Sequence, residues 1–115
     1  MATCTGINIF HNMRQVILIP GMPDEKDYKE DVWPAGSNAH WFAWVQKQLS
    51  RQDILCQSLE MPHPYNPTHK DHCFVMNQVT IHEETVLVGH SLGAGFLLRY
   101  LSENKGSSVQ AHEVF

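Results

Sequence analysis

An α/β fold, with a parallel sheet clad by helices on its faces, is predicted by three observations on this 115-residue chain. Short apolar runs suited to buried strands alternate with stretches of helical period. Pro20-Gly21 and Gly89 stop two of those runs at once, as a strand that turns sharply requires. At roughly 30 residues per strand and crossover helix, the length holds about three to four such units and no second domain. Hydrophobic residues at 43% and charged residues at 17% exclude a disordered or fibrous chain.

The elements follow in order. Residues 1–14 have no convincing period and read as a flexible leader. Val16-Ile17-Leu18-Ile19 is β-branched and continuously apolar, the pattern of a strand buried on both faces. Residues 22–37 are polar and carry Pro23, Pro34 and Gly36, which predicts a long surface loop. Asn38 is placed to cap a helix with Trp41, Trp44, Val45 and Leu49 on one inward stripe. Residues 54–59 form a second strand, and the prolines at 62, 64 and 67 forbid regular structure after it.

Thr68-His69-Lys70-Asp71 has the form of a capping box, opening a helix with Val75, Met76 and Val79 turned inward. Thr85-Val86-Leu87-Val88 is the third strand, and its unbroken apolarity predicts a central place in the sheet. A last helix puts Ala94, Leu97, Leu98 and Leu101 on its packing face, with Gly95 lining that face. Asn104-Lys105-Gly106 ends it, and residues 107–115 form a polar tail.

Composition excludes several functions. Net charge is −4 with no basic cluster, so nucleic acid is not an expected partner. The longest apolar stretch, from Val86 to Leu101, is interrupted by His90, Ser91 and Arg99 and falls short of a membrane span. The first basic residue is Arg14, so no secretory signal is read at the start. Cys4, Cys56 and Cys73 are irregularly spaced, which argues for a reducing compartment and a cytoplasmic protein. Histidines are abundant, but His63, His69, His72 and Cys73 match no standard zinc spacing, and no metal is assigned.

The chemistry sits at Gly89-His90-Ser91-Leu92-Gly93, a G-x-S-x-G nucleophile elbow between a strand and a helix. The serine of such a turn is held in a strained conformation, so the positions two before and two after it must lack bulk. Ser91 is the expected nucleophile, Gly89 and Gly93 give it room, and His90 serves packing or polar bonding. The Leu92 amide, at a helix N-terminus, is placed to receive an oxyanion. A second donor is expected in the turn after the first strand, at Gly21 or Met22.

Val16 to Gly21, the helix start His40-Trp41-Phe42-Ala43-Trp44-Val45, Leu59-Glu60-Met61-Pro62 and Val86 to Ser91 follow one another in a telling order. In that order the chain resembles the small serine hydrolases similar to retinoblastoma-binding protein 9. The resemblance implies a three-layer α/β sandwich, with residues 15–106 forming the N-terminal portion of an α/β-hydrolase domain. It implies attack by Ser91 on a small ester or amide substrate, with a histidine taking the proton and an acid holding that histidine. It implies no metal or organic cofactor, and it places His40 or Trp41 at the border of the site.

The chain departs from that family in two ways. In this fold the acid and then the histidine follow the serine. After Ser91 the sequence holds only Glu103, Glu113 and His112 as candidates, and none is well placed. A shortened hydrolase, weak or inactive by itself, is the expectation. Its alternative is a non-catalytic interaction module made from part of a hydrolase, self-associating through an exposed sheet edge. The L-x-C-x-E segment of pocket-protein binders is replaced by Val79-Thr80-Ile81-His82-Glu83, so that partnership is not carried over.

Overall fold

In the computed structural model, which describes residues 14–104, the apolar runs pair as three parallel strands. β1 (Gln15–Ile19) lies between β2 (Leu55–Ser58) and β3 (Thr85–Gly89). Val16 pairs with Cys56 on one side and Val86 on the other, and the β3 ladder runs on to Ile19 opposite Gly89. Among the described residues the third strand therefore stands at an edge of the sheet, whereas its unbroken apolarity predicted a central place. Val86 and Val88 are only half-buried, whereas Ile17, Leu18 and Ile19 of β1 are at most 1% exposed.

Strand side chains alternate between faces, so the sheet builds a core on each side. Ile17, Ile19 and Leu87 meet Met76 of α3 (His69–Met76) and Phe96 and Leu97 of α4 (Leu92–Glu103). On the opposite face Leu18 and Cys56 pack against Phe42 of α2 (Phe42–Ser50), with Val16, Val45, Leu49 and Val88 around them. The result is the three-layer α/β sandwich, with the sheet as its middle layer. A polar chain ties the strands together at one end. Thr85 Oγ1 donates to Gln15 Oε1 at 2.8 Å, and Gln15 Nε2 donates to Gln57 Oε1 at 3.1 Å. Buried polar groups are tolerable here because each finds a partner.

The loop expected over residues 22–37 contains a single-turn helix, α1 (Glu25–Lys29), capped by the Asp24 carboxylate. Asn38 does not cap α2. It ends a 3-10 turn (Gly36–Asn38), donating its amide to Ala35 O, and α2 starts at Phe42 with Trp41 as its cap residue. This shift rotates the buried stripe onto Phe42, Val45 and Leu49, a spacing of three and seven. Trp44 then falls on the far side of the helix and is 66% exposed, and Trp41 is also outside the core. The expected core role for the two tryptophans is thus taken by Phe42.

The capping box of α3 is present with both of its hydrogen bonds, Asp71 N to Thr68 Oγ1 and Thr68 N to Asp71 Oδ2. Met76 is buried, with Val75 and Val79 packed against the same core. On α4 the inward stripe is Gly93, Phe96 and Leu97, flanked by Tyr100 and Leu101; of the expected face Leu97 and Leu101 turn inward, whereas Ala94 is half-buried and Leu98 is exposed. Gly95 does not line the stripe, because a Cβ there would meet nothing within 4 Å. Apart from Arg14, the leader lies outside the described residues, as do Lys105-Gly106 and the tail 107–115. No helix among the described residues is long and apolar enough to cross a membrane.

Two adjacent leucines, both expected on the packing face of α4, differ in burial. Leu97 is fully buried and Leu98 is 63% exposed. Leu97→Ala is expected to lower unfolding free energy by about 2–5 kcal/mol and Leu98→Ala by under about 0.5, read from urea denaturation.

Candidate active site

The elbow is built from the end of β3 and the first turn of α4. His90 N donates to Ile19 O at 3.0 Å and extends the ladder by one residue. The chain then reverses at Ser91, with φ 55° and ψ −118°, and Ala94 N already donates to Ser91 O at 2.9 Å. A non-glycine residue in that conformation is strained, and it persists only where its surroundings over-determine it. They do so here. A Cβ on Gly89 would lie 2.6 Å from Ala94 N, and one on Gly93 would strike Ile19 O and lie 2.7 Å from Pro20 O. Any side chain at either position would push α4 off the sheet, so both glycines meet a steric requirement.

This tight docking brings the turn after β1 against Ser91. A Cβ on Gly21 would be 2.9 Å from Ser91 Cβ and 3.1 Å from His90 O. Gly21, from the turn after β1, therefore stands against Ser91, the first residue before α4. A cleft of about 250 Å³ opens over the serine, walled by Pro20, Gly21, Met22, His40, Phe42 and His90. Ser91 is exposed at its floor.

His40 enters this wall through a left-handed turn of its own, with φ 54°, and its ring sits 4.9 Å from that of His90. Trp41 does not line the cleft. It packs edge-on against Phe42 at 4.6 Å and His90 at 6.1 Å, behind the wall. His90 is thus held among three rings, in keeping with a packing role. Among the described residues no histidine or carboxylate hydrogen-bonds to the Ser91 hydroxyl.

Glu103 is one helix length away, about 18 Å at 1.5 Å per residue. It is engaged with His69 Nε2 at 2.9 Å and Arg99 Nε at 3.0 Å. Those hydrogen bonds, the one from His69 foremost, hold its carboxyl below the usual range. His112 and Glu113 lie outside the described residues.

Glu60 was not singled out from the sequence, yet it stands behind the cleft. Its Oε1 is buried without a hydrogen-bond partner, 3.0 Å from where a Cβ on Gly36 would be, and Gly36 is part of the cleft wall. An acid enclosed by Leu59 and Met61-Pro62 was the available signal. Cys56, by contrast, is chemically quiet, because burial pushes its thiol up to about 11.

A strand-to-helix elbow with an exposed serine at the carboxyl end of a parallel sheet is the arrangement that α/β hydrolases share. A family model described as serine hydrolase matches residues 31–112, and the chain belongs to that family. It is similar to YdeN of Bacillus subtilis (strain 168), a provisionally named hydrolase, with 41% identity over 69 residues. That match covers 58% of this chain and 36% of YdeN. The crystal structure of the B. subtilis ydeN gene product superposes with a TM-score of 0.60 at 35% identity, covering 77% of this chain and 43% of that one. The chain thus spans less than half the length of the relative it matches.

The steric account of the elbow makes the α4 glycines respond with opposite signs. Gly93→Ala is expected to destabilise by about 1–3 kcal/mol through overpacking against the end of β1. Gly95→Ala, entering open space on the same helix, is expected to stabilise by up to about 1 kcal/mol. Thermal melts of the two variants beside the parent check the signs.

Proposed function

We propose that this chain is the nucleophile-bearing portion of a small serine hydrolase acting on ester or amide bonds. The observation that carries the reading is the left-handed Ser91, locked between Gly89 and Gly93 and open to a cleft. In this reading Ser91 Oγ attacks the carbonyl carbon, and the carbonyl oxygen, now negative, takes hydrogen bonds from backbone N–H groups of Leu92 and the Gly21-Met22 turn. His40, Phe42 and Met22 shape the acyl pocket. The ordered motifs of β1, α2, the Met61-Pro62 loop and the elbow favour the branch similar to retinoblastoma-binding protein 9. No cofactor takes part, and the cytoplasm is the compartment its cysteines suit.

No base reaches Ser91 among the described residues, so turnover by this chain is expected to be weak. In serine hydrolases, losing the base costs orders of magnitude while the oxyanion donors retain part of the effect. A second reading, a non-catalytic interaction module, is favoured by the outer edges of β2 and β3, which lack a strand partner among the described residues. Such edges invite pairing with another copy.

A fluorophosphonate probe distinguishes the readings. Slow labelling of the folded chain that is lost in Ser91→Ala is expected. Equal labelling of the variant would remove the nucleophile assignment, and a folded chain that takes no label would favour the module.

A further inference from the structure

Away from the elbow, α3 and α4 bring together three side chains that the sequence keeps far apart. His69 and Cys73 stand one turn apart on α3, with Cys73 Sγ 3.4 Å from His69 Nε2. Glu103, from the last turn of α4, places Oε2 2.9 Å from the same nitrogen. One ligand atom from each residue lies within 4.8 Å of the others. We propose that His69, Cys73 and Glu103 form a zinc-binding site that clips α3 to α4.

The donor chemistry selects the ion. Thiolate, imidazole and carboxylate together suit zinc, whereas calcium and magnesium take oxygen ligands. A thiolate and a carboxylate balance the two positive charges, and a neutral imidazole completes a three-residue set with a fourth position for water. Zinc takes sulfur at about 2.3 Å and nitrogen or oxygen at about 2.0–2.2 Å, so tetrahedral geometry separates the nitrogen from the oxygen by about 3.3 Å and from the sulfur by about 3.6 Å. The observed 2.9 and 3.4 Å open to those values by a few tenths of an ångström. On binding, the Cys73 thiol gives its proton to water, as does His69 if protonated, and zinc sheds bound waters for three protein bonds that replace the His69–Glu103 hydrogen bond.

The surroundings orient the ligands. Arg99 Nε holds Glu103 Oε1 at 3.0 Å, which leaves Oε2 for the ion, as the outer partners of metal-bound carboxylates do. The His69 ring leans on Phe96 at 5.5 Å. A cleft of about 190 Å³ opens beside His69 and Arg99. The same geometry excludes His72, whose Nδ1 bonds to Thr68 O at 3.0 Å and whose ring stacks on Phe96. His63 lies outside the group. The site therefore uses a different set from the one the histidine spacing suggested, and its α4 ligand, Glu103, stands about 18 Å along the helix from Ser91. Its effect is to fasten the elbow helix to its neighbour.

Cobalt(II) titration of the full chain, stripped of metal, tests the assignment. A thiolate-to-cobalt charge-transfer band that saturates with a single ion, and that zinc displaces, is expected. Cys73→Ser should abolish the band, while His69→Gln and Glu103→Gln should each weaken binding by at least about tenfold. Excess zinc should raise the melting temperature of the parent chain and leave that of Cys73→Ser unmoved. Absence of the band in the parent overturns the site, leaving His69 and Glu103 as an ion pair. A band that persists in Cys73→Ser, or one indifferent to both other variants, overturns it equally by locating the ion at another cysteine.

Discussion

The close approach of α4 to the end of β1 is the constraint on which the rest of the structure depends. Gly93 rests against Ile19 O and Pro20 O, and Gly89 rests against the backbone of Ala94, with no room for a carbon at either place. Because the helix cannot retreat, the residue between them has to turn through a conformation that costs about 1–3 kcal/mol. That residue is Ser91. The two buried cores hold the sheet and helices in register on either side of this turn, and their packing offsets its strain. Site and fold are thus one mechanical arrangement, in which steric exclusion at two glycines exposes one hydroxyl.

The same approach explains why the turn after β1 belongs to the site. Parallel strands end together, so the loops leaving β1 and β3 meet at the carboxyl edge of the sheet, where α/β proteins place their ligands. Gly21 touches Ser91 for that reason, and the cleft runs from it along the 3-10 turn towards His40. At this end the acidic group behind the cleft is Glu60, with Oε1 buried beside Gly36. The charged clusters lie elsewhere, on α1 and between α3 and α4.

Much of this was legible in the sequence, for physical reasons that differ by element. The elbow was readable because its steric demand is local: small residues at fixed distances from a serine, between a strand and a helix. The Thr68 capping box was readable for the same reason. The start of α2 was not, since the left-handed turn at His40 moves its cap from Asn38 to Trp41, and Phe42 joins Val45 and Leu49 in the core while Trp44 faces solvent. The order of the strands was not readable either. β1 and β3 are equally apolar, and only the ladder shows which has a partner on both sides. The bond from Ser37 Oγ to Glu60 Oε2 and the meeting of Glu103 with His69 join residues 23 and 34 positions apart, a relation that no local pattern carries.

The central claim is that this steric arrangement makes Ser91 an addressable nucleophile even in a chain whose described residues bring no base to it. Incubation with an activated aryl ester, followed by mass-spectrometric mapping of the acylated peptides, tests it most directly. The account predicts a single acyl group, carried by Ser91 and retained because deacylation lacks a base. Acyl groups spread over surface lysines, with Ser91 unmodified in a folded chain, would contradict it.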